Sequence, residues 1–168
     1  MSRLHLLRHA KSSWHDPALD DRVRPLAPRG RKATRRLAGW IVEHDVRPEL
    51  VLCSPATRAR ETLDRIHGAL GSPEVTVDER IYHATSAVLL DRLRELADPL
   101  GEVMLVGHNP GLADLCLTLA RAGPLRERVA ENLPTGALAT LVAELDGWSA
   151  LAPGSADLVE LVLPRDLQ

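Results

Sequence analysis

With 168 residues, 45% of them apolar, the chain is long enough to bury one substantial core, and residues 1–168 read as a single domain. A net charge of −2 argues against a dedicated nucleic-acid binder or a membrane-surface protein, and 2% aromatic residues with no phenylalanine leave no stacking platform for single strands. Cys53 and Cys116 are too few for a disulfide framework, no signal peptide is expected, and no run approaches the ~20 apolar residues of a membrane span, so a cytoplasmic location is expected.

In chain order, the first element is a short apolar strand, Leu4-His5-Leu6-Leu7, that runs into Arg8-His9-Ala10. Arg8 and His9 then sit at its carboxyl end, where open α/β sheets gather ligands. A guanidinium beside an imidazole suits phosphoryl chemistry: arginine matches phosphate oxygens in pairs, and histidine can attack phosphorus. An amphipathic helix follows from Lys32 to His44, with Ala33, Leu37, Trp40, Ile41 and His44 on one face and Arg31, Lys32, Arg35 and Arg36 on a solvated one. A second strand, Leu50–Cys53, meets Ser54-Pro55, a cap-plus-proline start for a helix reaching Leu70 and stopped by Gly71. Arg58 falls near the positive end of that helix.

Val75–Val77 reads as a short strand. Val88, Leu89, Leu93, Leu96 and Ala97 mark a third helix that stops near Asp98-Pro99. Val103–Val106 is another apolar strand. It leads to Gly107-His108-Asn109-Pro110, again a cap-plus-proline start, for a helix to about Ala122 ended by Gly123-Pro124. Ala137–Leu145 and Asp157–Leu163 are late strands joined through Asp146-Gly147-Trp148. Alternating strands and helices predict a three-layer α/β/α fold with a mostly parallel central sheet and a mixed edge. Three strand-to-helix corners thus each deliver a cation or an imidazole, and two of them also aim helix amino termini at the same place, an arrangement suited to an anion.

Arg8-His9, the segment Ser54-Pro55-x-x-Arg58-Ala59-x-x-Thr62, and Gly107-His108-Asn109 resemble the histidine phosphatase superfamily, with its phosphoglycerate-mutase-like fold. Arg24-Pro25-Leu26 with Gly30, and Pro134-Thr135-Gly136, are supporting matches, and length and order are closest to the compact SixA-type phosphohistidine phosphatases. Ala10 departs from the glycine usual in the family; alanine is tolerable there if the backbone does not need a positive φ. The resemblance implies that His9 is the nucleophile, transiently phosphorylated, and that Arg8, Arg58 and His108 surround the phosphoryl group. No cofactor or metal is then required, because the arginines supply the positive charge. Ser12 stands where relatives have a phosphate-contacting serine. Glu79, in Glu79-Arg80-Ile81-Tyr82, resembles the segment that carries the proton donor in mutase-like relatives; His83, which follows Tyr82 near the inferred pocket, is a candidate substrate contact. His15 replaces an asparagine of the mutases, which puts mutase chemistry in doubt.

Other residues carry plainer readings. His5 and His9 share a strand face but lie roughly 13 Å apart, too far for one metal. His44 and His67 read as helix-end or surface groups, Cys53 as a core residue at a strand end, and Asp20 and Asp21 as loop charges. The expected substrate is a phosphohistidine on a protein or a small phosphoester, with neither nucleic acid nor membrane as partner. A phosphoglycerate mutase and a non-catalytic phosphate-binding module are the alternatives. The first lacks the extra segments that close over a small substrate, and the second sits poorly with intact Arg8, His9, Arg58 and His108.

Overall fold

Apolar residues run nearly unbroken along the central strands, as they do in strands buried on both faces, and the computed structural model, which describes residues 1–97 and 99–168, shows a sheet covered on both faces. Its strands are β1 (Ser2–Arg8), β2 (Leu50–Cys53), β3 (Glu74–Val77), β4 (Glu102–Gly107), β5 (Leu138–Ala143) and β6 (Asp157–Val162), in the spatial order β3-β2-β4-β1-β5-β6. The first four in that order are parallel; β5 runs antiparallel to β1, and β6 antiparallel to β5. The sheet is therefore mixed and mostly parallel, as expected.

Because side chains alternate across a strand, each central strand feeds two cores. Leu4 and Leu6, Leu50 and Leu52, and Val103 and Leu105 join one cluster; Leu7, Val51, Cys53, Met104 and Val106 join the other. Helices α1 (Pro28–Glu43) and α2 (Thr57–Ile66) cover the second with Leu37, Ile41, Leu63 and Ile66. Helices α3 (Ser86–Arg94), α4 (Gly111–Leu119) and α5 (Pro124–Glu131) cover the first with Leu89, Leu93, Leu112, Leu115 and Val129. The three layers are α, β and α.

Several boundaries differ from expectation for local reasons. Helix α1 begins four residues early, because Pro28 fits a first helical turn that needs no N–H donor, and its buried stripe is Gly30, Thr34, Leu37 and Ile41. Helix α2 begins at Thr57 rather than Pro55 and ends at Ile66, so Ser54 is not its cap. Gly123-Pro124 ends one segment but also starts another: Pro124 opens α5, a helix the sequence reading lacked. The β5–β6 connection is no tight hairpin, since it carries a one-turn 3-10 helix, Trp148–Ala150, whose buried indole N–H donates to the Leu100 carbonyl at 2.7 Å. Asp98, at the expected stop of α3, lies outside the described residues. Among the described residues no helix is long and apolar enough to cross a membrane.

Register matters most for the site. Arg8 pairs with Gly107 and Cys53 with Val106, so β1, β4 and β2 end level with one another. Two further bonds continue the ladder past the strands, His9 N–H to Gly107 O (3.1 Å) and Ser54 N–H to Val106 O (3.0 Å).

Candidate active site

The exit of β1 is tied down on both sides. The Ala10 N–H donates to Thr62 Oγ1 (3.0 Å), and the Thr62 hydroxyl donates to the Arg58 carbonyl (2.7 Å), which fastens the Arg8-His9 corner to the helix that carries Arg58. On the other side, the Gly136 N–H bonds to the carbonyls of Arg8 (3.0 Å) and His9 (2.9 Å) from a φ of +79°, a conformation suited to glycine. Ala10 itself is buried and has no positive φ, so alanine is accommodated there.

Two imidazoles face each other across this corner, with ring centroids 5.1 Å apart. His9 Nδ1 lies 2.7 Å from the Ala10 carbonyl. A carbonyl can only accept, so Nδ1 carries the hydrogen and Nε2 keeps its lone pair. The His9 pKa is lowered to about 4, chiefly by burial and further by Arg58, Arg8 and Arg24, against the opposing pull of the Ala10 bond. Burial and the neighbouring His9 lower His108 to about 3. Both rings are therefore neutral at pH 7. The Ser54 hydroxyl accepts from the Ala56 N–H (3.2 Å) and lies 2.7 Å from His108 Nε2, which ties this ring to the start of the α2 segment.

Among the described residues His108 Nδ1, Arg8 Nε and Arg58 Nε are buried without a hydrogen-bond partner. Four cationic side chains, Arg8, Lys11, Arg24 and Arg58, stand in the lining of one pocket, a setting suited to an anion with several acceptor oxygens. Among the described residues Arg8 Nη2 also has no partner, while the other guanidinium nitrogens of Arg8 and Arg58 are engaged. Arg8 Nη1 donates to the Leu133 carbonyl (3.0 Å), and Arg58 grips Asp21 through Nη1 to the carbonyl (2.7 Å) and Nη2 to Oδ2 (3.1 Å). Asp21 also accepts from the Tyr82 hydroxyl (2.6 Å) and from Arg24 (3.1 Å), and His83 Nε2 lies 3.5 Å away. The Tyr82 hydroxyl, with Arg58 and Arg24, holds this carboxyl far below the usual range, so it stays ionised. Arg24 in turn donates to Ser12 Oγ (2.8 Å) and stacks on Trp14, 3.6 Å from the ring centroid. The pocket so formed is open and has a volume of about 220 Å³.

Of the residues expected at the site, Arg8, His9, Ser12, Arg58, His83 and His108 line this pocket together. Glu79 does not. It stands exposed in a one-turn 3-10 helix, paired with Arg22, which lowers its pKa. Such a carboxyl is placed and charged for an ion pair rather than for handing a proton into the pocket. His5 bonds Thr140 (2.8 Å) inside the core, and burial pushes the Cys53 thiol up to about 12, in keeping with a core residue. Sequence reasoning missed Asp21, Tyr82, Arg24 and Ser54 as parts of the site. Arg24 stood within a quoted motif and Ser54 within another, but nothing local shows that a loop aspartate turns inward to hold an arginine some forty residues on.

The comparisons with known proteins agree with this geometry. Residues 4–84 match the model of the histidine phosphatase superfamily (branch 1). An uncharacterised protein of Mycobacterium tuberculosis is 34% identical over 95% of this chain and 100% of its own length. The phosphohistidine phosphatase SixA of Escherichia coli is 36% identical over a shorter stretch, 42% of this chain and 43% of that protein. Among solved structures, a candidate phosphohistidine phosphatase SixA of Agrobacterium tumefaciens superposes with a TM-score of 0.81 at 28% identity, covering 97% of this chain and 98% of the other. The chain belongs to the histidine phosphatase superfamily. Within it, its likeness is to the compact SixA-type proteins, and that membership supports a phosphatase activity.

Proposed function

We propose that this protein is a phosphohistidine phosphatase that acts on another protein through a phosphoryl group carried transiently on His9. The observation that carries the reading is a neutral imidazole with Nε2 left free, standing in the wall of one pocket with Arg8, Arg58 and His108. In the first step the Nε2 lone pair attacks phosphorus and the bond from phosphorus to the leaving group breaks, with the electron pair going to that group. Arg8 and Arg58 stabilise charge on the equatorial oxygens, as preorganised donors do in phosphoryl transfer, and His108 stands beside them in the pocket wall. Ser12, held by Arg24, and His83 are further contacts at the rim. In the second step water attacks the phosphoryl on His9 and releases phosphate and free imidazole.

The nature of the leaving group follows from what lines the pocket. Among the described residues no Asp or Glu is part of its wall, and nearby Asp21 is held ionised, so an alkoxide leaving group would find no carboxylic acid to protonate it. A phosphohistidine needs none: once its ring is protonated it departs as neutral imidazole. Proton donation is therefore not assigned to Glu79. An open pocket of this size would leave most of a small sugar phosphate wet, whereas a side chain projecting from a protein can reach it. Two free, buried cysteines suit the cytoplasm, to which the reaction is assigned. The test compares kcat/KM for a phosphohistidine protein with that for the best of a broad panel of small phosphoesters. The protein substrate is expected to be the better one. Preference for a small metabolite by about a hundredfold would overturn the protein assignment and leave a small-molecule phosphatase.

A further inference from the structure

The cations of α1 read from sequence as a solvated helix face, yet part of that face is the wall of a groove. Arg29, Lys32 and Arg36 recur at helical spacing and, with Lys11 and Arg165, line a groove of about 430 Å³ floored by Pro134, Thr135 and Leu163. Lys11 and Thr135 line the phosphate pocket as well, so the groove runs directly out of the candidate active site. All five cations are exposed, and no Asp or Glu lines the groove among the described residues. Among the described residues none of these five is paired with a carboxylate. In a molecule of net charge −2, five unopposed cations beside one pocket make a local positive field out of keeping with the whole.

We propose that this groove docks an acidic stretch of polypeptide adjoining the phosphorylated side chain, so that the enzyme reads the protein context of its substrate by charge. The inference rests on the proposed function and names the recognition element that function needs. From Arg29 to Arg36 the helix advances about 10 Å. Three residues of extended peptide, at about 3.3 Å each, cover the same span. A small anion held only by solvated cations would gain little, while a chain of carboxylates engages several at once. Nucleic acid fits less well, because among the described residues no aromatic side chain lines the groove to stack a base.

The test uses two phosphohistidine peptides that differ only in their flanks, four glutamates against four glutamines. The wild-type protein is expected to favour the acidic peptide by about tenfold or more in kcat/KM, mostly through KM, with the preference shrinking as salt rises. The double variant Lys32→Glu/Arg36→Glu is expected to lose that preference while its hydrolysis of para-nitrophenyl phosphate, which does not reach the groove, stays unchanged. Equal kcat/KM for the two peptides on the wild-type protein would overturn the docking proposal and leave the proposed function standing. If neither peptide were hydrolysed while the aryl phosphate was, the phosphohistidine reading would fall and the groove proposal with it. A 5′-phosphorylated oligonucleotide that outcompeted the acidic peptide would also overturn it, in favour of a nucleic-acid partner.

Discussion

His9 lies almost wholly out of water with Arg8, Arg24 and Arg58 around it, and that setting decides its protonation. Burial and the three cations disfavour imidazolium, so the pKa falls to about 4 and the neutral, nucleophilic form persists well below the usual histidine range. The sign follows: above that value Nε2 has its lone pair, and below it a proton occupies the attacking atom. The acid limb of kcat/KM reports the free enzyme. For an aryl phosphate, corrected for the ionisation of the substrate, that limb is expected near pH 4 rather than 6.5. A limb at 6.5 would mean that His9 is solvated or paired in a way this geometry does not have. At the same scale, Asp21 shows where a sequence stops being informative. Its carboxylate organises Arg58, Arg24 and Tyr82, yet in the chain it is one of two adjacent loop aspartates with no periodicity around it. Arg8-His9 and Gly107-His108 were legible because an apolar strand stops at each, and the stop itself marks the sheet edge.

Among the elements, the decisive contacts are places where helix and loop backbones touch. Helix α4 begins at Gly111, where a Cβ would stand 2.0 Å from the Ala84 carbonyl oxygen, so this helix start and the segment carrying Tyr82 and His83 can meet only without a side chain between them. Asn109 supports the same start, its Oδ1 accepting from the Ala113 N–H (3.2 Å) and its Nδ2 donating to the Leu133 carbonyl (2.8 Å). Gly111→Ala must push α4 or the Ala84 segment aside. It is expected to destabilise the fold by about 1–3 kcal/mol, as overpacking does, and to lower phosphatase activity by moving His108. Urea unfolding with parallel kinetics checks both, and unchanged stability would show that the approach is looser than the geometry requires. The helices over strongly periodic segments were readable in advance. Helix α5 was not, because Gly-Pro serves equally to end one helix and to begin another, and only packing of Val129 on the core tells the two apart.

For the whole molecule, the order β3-β2-β4-β1-β5-β6 brings three consecutive strand ends, those of β2, β4 and β1, to a single edge. That arrangement could be anticipated from alternating strands and helices, since parallel pairing through crossovers aligns carboxyl ends. The antiparallel turn at β5, which brings Gly136 back to the Arg8-His9 corner, depends instead on contacts between residues more than a hundred positions apart, and no local pattern encodes them. The emplacement of Glu79 is the same kind of fact, settled by Arg22 on a different loop. The account as a whole stands on the chemistry of one atom, Nε2 of His9. The measurement that addresses it most directly is rapid acid-free quench of the protein with phosphorus-labelled substrate under single-turnover conditions, followed by mapping of the label. The account predicts a transient phosphoryl group on His9, labile to acid and stable to base, and absent from the folded His9→Ala variant. Label on Cys53 or on any other residue, or turnover with no labelled protein at all, would contradict it.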